Sequence, residues 1–262
     1  MSVTALHLWF PSARTDTDVR RPDLRLFCVP HGGAGTSVFR SWPHRLGPAT
    51  EVVPVQLPGR ESRLAEPAER SVPRLAARLA GPVARRAEGL PYILFGHSMG
   101  ALVAFELGLR LQTSAHPPAA VVVSGSVAPH LSRRTPAMHL LPDREFLDGL
   151  RVLGGIPPEL LADREWLELF LPQLRADFEA AETYVSDGTL GAGVRLIALG
   201  GRDDPAATPA EIEGWRARGH DVSTRVFDGD HFFPFSAADQ VLATVMGLAR
   251  RPVRTPEGAI RP

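Results

Sequence analysis

One stretch constrains this chain more than any other: Tyr92-Ile93-Leu94-Phe95-Gly96-His97-Ser98-Met99-Gly100-Ala101-Leu102-Val103-Ala104-Phe105. It reads as a short buried strand, a sharp turn holding one serine, and a mostly apolar helix. Gly-x-Ser-x-Gly between a strand and a helix is the nucleophile elbow. A serine at the tip of such a turn must adopt a strained backbone, and neighbouring side chains would collide. Glycine at 96 and 100 removes those collisions. The helix beginning near Met99 then aims its N-terminal amides at the place where an oxyanion would form. A plain turn could carry the same five residues, but the strand before it and the helix after it argue for the elbow.

The rest of the chain supplies the strand–helix alternation that an elbow needs. Leu24–Val29 is expected as a first central strand, ending in Pro30-His31-Gly32-Gly33-Ala34-Gly35. Glycines directly after a strand let backbone approach a ligand. A phosphate-cradling loop is the competing reading, but no Lys-Ser/Thr follows and the chain holds no lysine. The loop fits better as the one that supplies a second oxyanion amide in α/β-hydrolases. Further strands are expected at Val52–Gln56, Ala119–Val123, Val194–Leu199 and Ser223–Phe227, and a less certain one at Leu6–Phe10. Helices are expected at Pro73–Ala87, interrupted at Gly81-Pro82, at Pro209–Ala217 and at Ala237–Arg250, with residues 251–262 as a polar tail.

From about Arg133 to Tyr184 the alternation stops. That region reads as helices at Pro142–Leu153, Pro157–Leu161 and Arg164–Tyr184, the last broken at Pro172, with Gly154-Gly155-Ile156-Pro157-Pro158 as a linker. Their apolar residues (Phe146, Leu150, Leu153; Trp166, Phe170, Leu174, Phe178) must bury against something. The carboxyl edge of the sheet is nearest, so the insertion reads as a lid. At 262 residues the expectation is one α/β domain spanning 1–262, a mostly parallel central sheet flanked by helices, with a helical lid insertion at about 133–184.

Composition closes off other classes. Lys+Arg and Asp+Glu both number 29, so no global field points to nucleic acid or an acidic membrane surface. No apolar run approaches a membrane span and no basic n-region followed by a long apolar stretch is seen near Met1, so the expected location is the cytoplasm. A single cysteine, Cys28, excludes an internal disulfide framework; inside Leu26-Phe27-Cys28-Val29 it reads as a core residue. Nor does any His/Cys/Asp cluster have metal-ligand spacing, so no metal is expected.

Three groups stand in the order Ser98, Asp203 or Asp204, His231, each just past a predicted strand. Open parallel sheets place their sites there, and this is the α/β-hydrolase order of nucleophile, acid and base. A serine hydroxyl needs a base to take its proton, and the base needs a carboxylate to hold its tautomer. Of the histidines only His231 follows a late strand; His97 lies inside the elbow but points away from the serine, and His31 lies in the glycine loop. For the acid, Gly201-Arg202-Asp203-Asp204 gives Gly-x-x-Asp ending at Asp204, which favours Asp204 over Asp203. Because adjacent side chains diverge, only one of the two reaches the histidine.

With these residues in place, the chain resembles the stand-alone type II thioesterases that accompany polyketide synthases and nonribosomal peptide synthetases. The resemblance runs from about Arg25 to Gln240. It rests on Leu57-Pro58-Gly59-Arg60 with Arg63 and Glu66-Pro67, on the elbow, and on Leu153-Gly154-Gly155-Ile156-Pro157-Pro158. It continues through Leu171-Pro172-Gln173-Leu174-Arg175-Ala176-Asp177-Phe178 with Tyr184, Gly201-Arg202-Asp203-Asp204-Pro205 with Trp215, and Gly229-Asp230-His231-Phe232-Phe233. The lid stretches are the specific ones. Two positions depart: His31-Gly32 stands where relatives carry Tyr-Ala or His-Ala, and Asp230 replaces a frequent glycine. The resemblance implies nucleophile Ser98, acid Asp204 and base His231, with oxyanion amides from Met99 and Gly32. It implies hydrolysis of aberrant or stalled acyl groups from the phosphopantetheine arm of acyl or peptidyl carrier proteins. No cofactor of the protein's own is implied, since the substrate carries the phosphopantetheine, and the chain is expected to be a monomer. The alternatives are a general carboxylesterase using the same triad, a non-catalytic docking partner and a chain-terminating cyclase. All 29 fixed cations are arginines, and those near the lid are expected to steer acidic carriers.

Overall fold

The computed structural model describes residues 3–11, 21–132, 137–154, 156, 159–160 and 163–249. Six strands form one sheet: β1 (Leu24–Val29), β2 (Thr50–Pro54), β3 (Tyr92–His97), β4 (Ala120–Ser124), β5 (Leu190–Gly201) and β6 (Gly219–Phe227). Their order is β2-β1-β3-β4-β5-β6, and every neighbouring pair is parallel. β2, β3 and β4 are buried at every residue, as expected for short apolar runs covered on both faces. The chain winds from β1 outward to β2 and then crosses back to β3. The reversal opens a crevice beyond the carboxyl ends of β1 and β3, which is where open α/β sheets bind ligands. The His31–Gly35 loop and the Ser98 turn both emerge there.

One face of the sheet is covered by α1 (Val3–Trp9), α3 (Val72–Ala87) and α4 (Met99–Leu111). The other is covered by α2 (Trp42–Leu46) and α9 (Ala238–Ala249), with Phe39, Trp42 and Phe95 packed edge to face. Between β4 and β5 the chain inserts α5 (Asp143–Leu153) and α6 (Arg164–Glu182). Their facing sides bury Phe146, Leu150 and Leu174 in a small core of their own, with Phe146 and Phe178 in an edge-to-face pair. α7 (Pro209–Glu213) and α8 (Phe233–Ser236) are single-turn pieces beside β5 and after the His231 loop.

Several elements differ from the sequence expectation. Leu6–Phe10 is not a strand but lies at the end of α1: Leu6, Trp9 and Phe10 fall at helical spacing, and the Phe10 amide donates to the Leu6 carbonyl. α3 runs through Gly81-Pro82 without a break. Proline removes one backbone hydrogen bond, but Leu75, Leu79, Val83 and Ala87 are buried on one stripe and hold both halves in register. α6 likewise runs through Pro172 and ends at Glu182. The expected Pro209–Ala217 helix splits into α7 and a 3₁₀ segment at Gly214–Arg218. Most of the expected Pro157–Leu161 helix and the whole 251–262 tail lie outside the described residues.

Candidate active site

The elbow has the strain its sequence requires. Ser98 sits at φ 54°, ψ −119°, one of three non-glycine residues with positive φ among the described residues. Its amide donates to the Ser124 carbonyl at 2.8 Å and its carbonyl accepts from Ala101 at 3.0 Å, which locks the turn between β4 and the first turn of α4. A β-carbon at Gly100 would lie 2.5 Å from the Pro30 carbonyl oxygen and closer still to that of Val29. One at Gly96 would strike the Gly100 carbonyl. The two glycines are therefore fixed by backbone crossing backbone.

Across the crevice, the β5–α7 loop carries Asp204 and the loop after β6 carries His231. Both are about 3% exposed. His231 Nδ1 lies 2.9 Å and 3.0 Å from the two carboxylate oxygens of Asp204. Oδ1 of Asp204 also accepts the backbone N–H groups of Ala206 at 2.8 Å and Ala207 at 3.2 Å, so the carboxylate is anchored from behind. Asp203 is exposed and does not pair with the histidine; its amide instead closes the loop on the Gly229 carbonyl. Of the two aspartates, the buried Asp204 is the one whose carboxylate faces the histidine. With Nδ1–H donated to Asp204, the other ring nitrogen keeps its lone pair, the state a general base needs.

Ser98 and His231 line a common cavity of about 70 Å³ with Gly32 and Met99. A larger, mainly apolar chamber of about 380 Å³ adjoins it, sharing Ser98, Leu153, Phe178, Ala181 and His231 and reaching Val127, Met138 and Leu141. A third space of about 330 Å³ is lined by the His31–Gly35 loop together with Trp166 and Phe170. Residues of helices α5 and α6 therefore line the cavities beside Ser98.

Two further imidazoles surround the base. His97 is fully buried, its ring centroid 4.8 Å from that of His231, and its Nδ1 faces the Ser124 carbonyl at 3.0 Å. Burial, with the nearby imidazoles adding to it, holds its pKa well below the usual histidine range. In His31, Nδ1 faces the Gly32 carbonyl at 2.9 Å. Burial lowers the His31 pKa to about 4, a shift that the Gly32 contact partly opposes. At neutral pH both rings are uncharged, and His231 is the one with a carboxylate within hydrogen-bond distance of its ring. The sequence reading gave His97 no role beyond pointing away from the serine; here it packs against the ring of the base. That reading also missed Asp177, whose side chain is buried against the glycine loop. The signal was available: Asp177 lies on the apolar stripe of α6 with Leu174, Phe178 and Ala181, and a charge on a buried stripe requires a partner.

No group of three or more His, Cys, Asp or Glu residues that could hold a metal occurs among the described residues, and Cys28 is buried. No described helix is long and apolar enough to cross a membrane. A serine at a strained elbow, a buried imidazole–carboxylate pair and a helix N-terminus at one cavity are the parts of nucleophilic acyl transfer.

Comparison with known proteins agrees with that chemistry. The profile of the thioesterase domain matches residues 24–248. The chain is 34% identical over 242 residues to the gramicidin S biosynthesis protein GrsT of Aneurinibacillus migulanus, covering 92% of this chain and 93% of that one. It is 38% identical over 212 residues to thioesterase PikA5 of Streptomyces venezuelae, covering 80% and 75%. Among solved structures it superposes on YbtT, a type II thioesterase from the yersiniabactin NRPS/PKS pathway, with a TM-score of 0.78 and 32% identity over 92% of this chain and 95% of that one. The chain belongs to the thioesterase domain family, hydrolases of the α/β-hydrolase class.

Proposed function

We propose that this thioesterase removes acyl groups from the phosphopantetheine arm of acyl or peptidyl carrier proteins in polyketide or nonribosomal peptide biosynthesis, using Ser98, His231 and Asp204. The observation that carries the reading is the buried His231–Asp204 pair at the same cavity as the Ser98 elbow. Relatives named for such pathways, matched over 93% and 95% of their own length, support the choice of substrate.

The Ser98 hydroxyl attacks the thioester carbonyl as its proton passes to His231. The oxyanion is met by the amides of Met99, at the N-terminus of α4, and Gly32. Collapse expels the pantetheine thiol, which takes the proton from His231 and leaves an acyl-serine ester. Water, deprotonated by His231, repeats the sequence and frees the carboxylic acid. Asp204 holds the Nδ1 proton throughout and stabilises the imidazolium. These steps need no metal or redox cofactor. The apolar chamber beside Ser98 receives the acyl chain, and the insertion at about 133–184 acts as the lid of a single catalytic domain. It screens the ester from bulk water.

The test compares kcat/KM for one acyl group carried three ways: on a carrier protein, on free pantetheine and as an oxygen ester. The carrier-bound thioester should be preferred. Because exposed arginines steering an acidic carrier are screened within about 10 Å at 0.1 M salt, that preference should shrink as salt rises. A general carboxylesterase would favour the oxygen ester at every ionic strength.

A further inference from the structure

The glycine loop that carries Gly32 is held from the lid side. Asp177, in the second half of α6, is 1% exposed. Its Oδ2 accepts the Gly33 N–H at 2.7 Å, and its Oδ1 accepts Arg60 Nη2 at 2.7 Å. Arg60 is 3% exposed, and its Nη1 and Nε donate to backbone. Nη1 reaches the Ala34 carbonyl at 3.0 Å and Nε the Pro58 carbonyl at 3.3 Å. The approach is close: a β-carbon at Gly32 would lie 3.4 Å from the β-carbon of Asp177, and one at Gly33 only 2.5 Å from Leu174.

These bonds converge on one peptide plane. The unit joining Gly32 to Gly33 has its N–H held by Asp177 and its carbonyl 2.9 Å from His31 Nδ1. Between two glycines such a plane rotates with little steric resistance, and Gly33 already sits at φ 78°. The Gly32 N–H belongs to the preceding plane, and the two planes share the Gly32 α-carbon. Freeing the Gly33 N–H from Asp177 lets that α-carbon shift and carries the Gly32 amide with it relative to Ser98. Arg60 adds a second tie one residue on, through Ala34. The carboxylate at the centre comes from α6, not from the sheet.

We propose that Asp177, braced by Arg60, is a positioning residue for the oxyanion site, so that the Gly32 amide is aimed only while the second half of α6 is seated on the loop. The inference rests on Gly32 being an oxyanion donor, as in the function proposed above. It makes the lid part of the catalytic apparatus rather than a cover alone.

The experiment uses the full chain and an acyl-pantetheine thioester, with three variants. Asp177→Ala removes the acceptor. Asp177→Asn keeps an acceptor for Gly33 and loses the charge. Arg60→Met/Asp177→Leu replaces the buried ion pair with apolar side chains, an exchange that buried pairs often tolerate without loss of stability. Each is measured for kcat, KM, melting temperature and affinity for two pantetheine analogues. One is a trifluoromethyl ketone that forms a tetrahedral oxyanion adduct, and the other is an inert thioether. Removing one oxyanion donor costs about 10²–10³-fold in kcat. Asp177→Ala and the double variant should lose about that much kcat with little change in KM. Trifluoromethyl ketone affinity should fall in parallel while thioether affinity holds, and Asp177→Asn should recover most of the loss. A folded double variant with wild-type kcat would overturn the inference. So would equal losses for both analogues, or, should the other two not fold, an Asp177→Asn protein that loses affinity for both analogues equally. If the wild type itself left the thioester intact, the functional reading would fail instead.

Discussion

Replacing Asp204 by asparagine separates the two adjacent aspartates and tests the geometry behind the base. Asp204 Oδ1 is fixed by the amides of Ala206 and Ala207, while both oxygens face His231 Nδ1. An asparagine in the same rotamer must keep its oxygen against those two donors. Flipping it would set its NH₂ against them and leave both N–H groups unpaired, at about 1–3 kcal/mol for the buried Ala207 amide and less for that of the exposed Ala206. The NH₂ therefore faces His231, which then accepts at Nδ1 and carries its proton on the other nitrogen. That tautomer cannot take a proton from Ser98. The expected loss in kcat is about 10⁴-fold, or about 5 kcal/mol of barrier, with the fold retained. Asp203→Asn, at an exposed side chain, should stay within about threefold of wild type. The assay is release of pantetheine thiol from an acyl-pantetheine thioester, with melting curves as the control for folding. A folded Asp204→Asn enzyme within tenfold of wild type, or a greater loss from Asp203→Asn, would refute the assignment.

Gly100→Ala should fail through packing rather than chemistry, because the new methyl meets two main-chain carbonyls and no flexible side chain can yield. A cost of about 3 kcal/mol or more is expected, seen as a fall in melting temperature of roughly 6–12 °C; an unchanged melting curve would contradict the backbone crossing described here. His31 gives a pH signature. Its folded pKa of about 4 lies below the ordinary imidazole value of about 6.5, so the unfolded chain binds more protons as pH falls through that window. Stability should therefore decline from about pH 6.5 towards pH 4, with His97 contributing in the same direction. His31→Gln should flatten the decline in melting temperature across that range, and an unaltered slope would mean that His31 is not held neutral.

What the sequence made legible was local. The elbow glycines, the strand ends and Gly-x-x-Asp are short-range signals, and they pointed to Ser98, Asp204 and His231 as one site. Boundaries fared worse wherever tertiary packing overrode propensity. Prolines 82 and 172 were expected to break helices, yet each lies inside a helix whose halves are pinned by packing. The end of α1 mimicked a strand because five residues are too few to separate a period of two from 3.6. The contacts around the loop were out of reach for a different reason. Arg60 and Asp177 are 117 residues apart, and only the fold shows that they meet across the glycine loop. His97 was set aside because its backbone faces away from the serine, but packing against the base requires no shared direction with the nucleophile.

The most direct test of the central claim is the intact mass of an acyl-loaded carrier protein exposed to the wild-type enzyme and to Ser98→Ala. The account predicts that the wild type returns the carrier to its free-thiol mass and transiently gains the acyl mass itself. The folded Ser98→Ala protein should leave the carrier loaded and gain nothing, with turnover lower by about 10³-fold or more. A carrier that stays acylated with the wild type, or is unloaded equally well by Ser98→Ala, would contradict it.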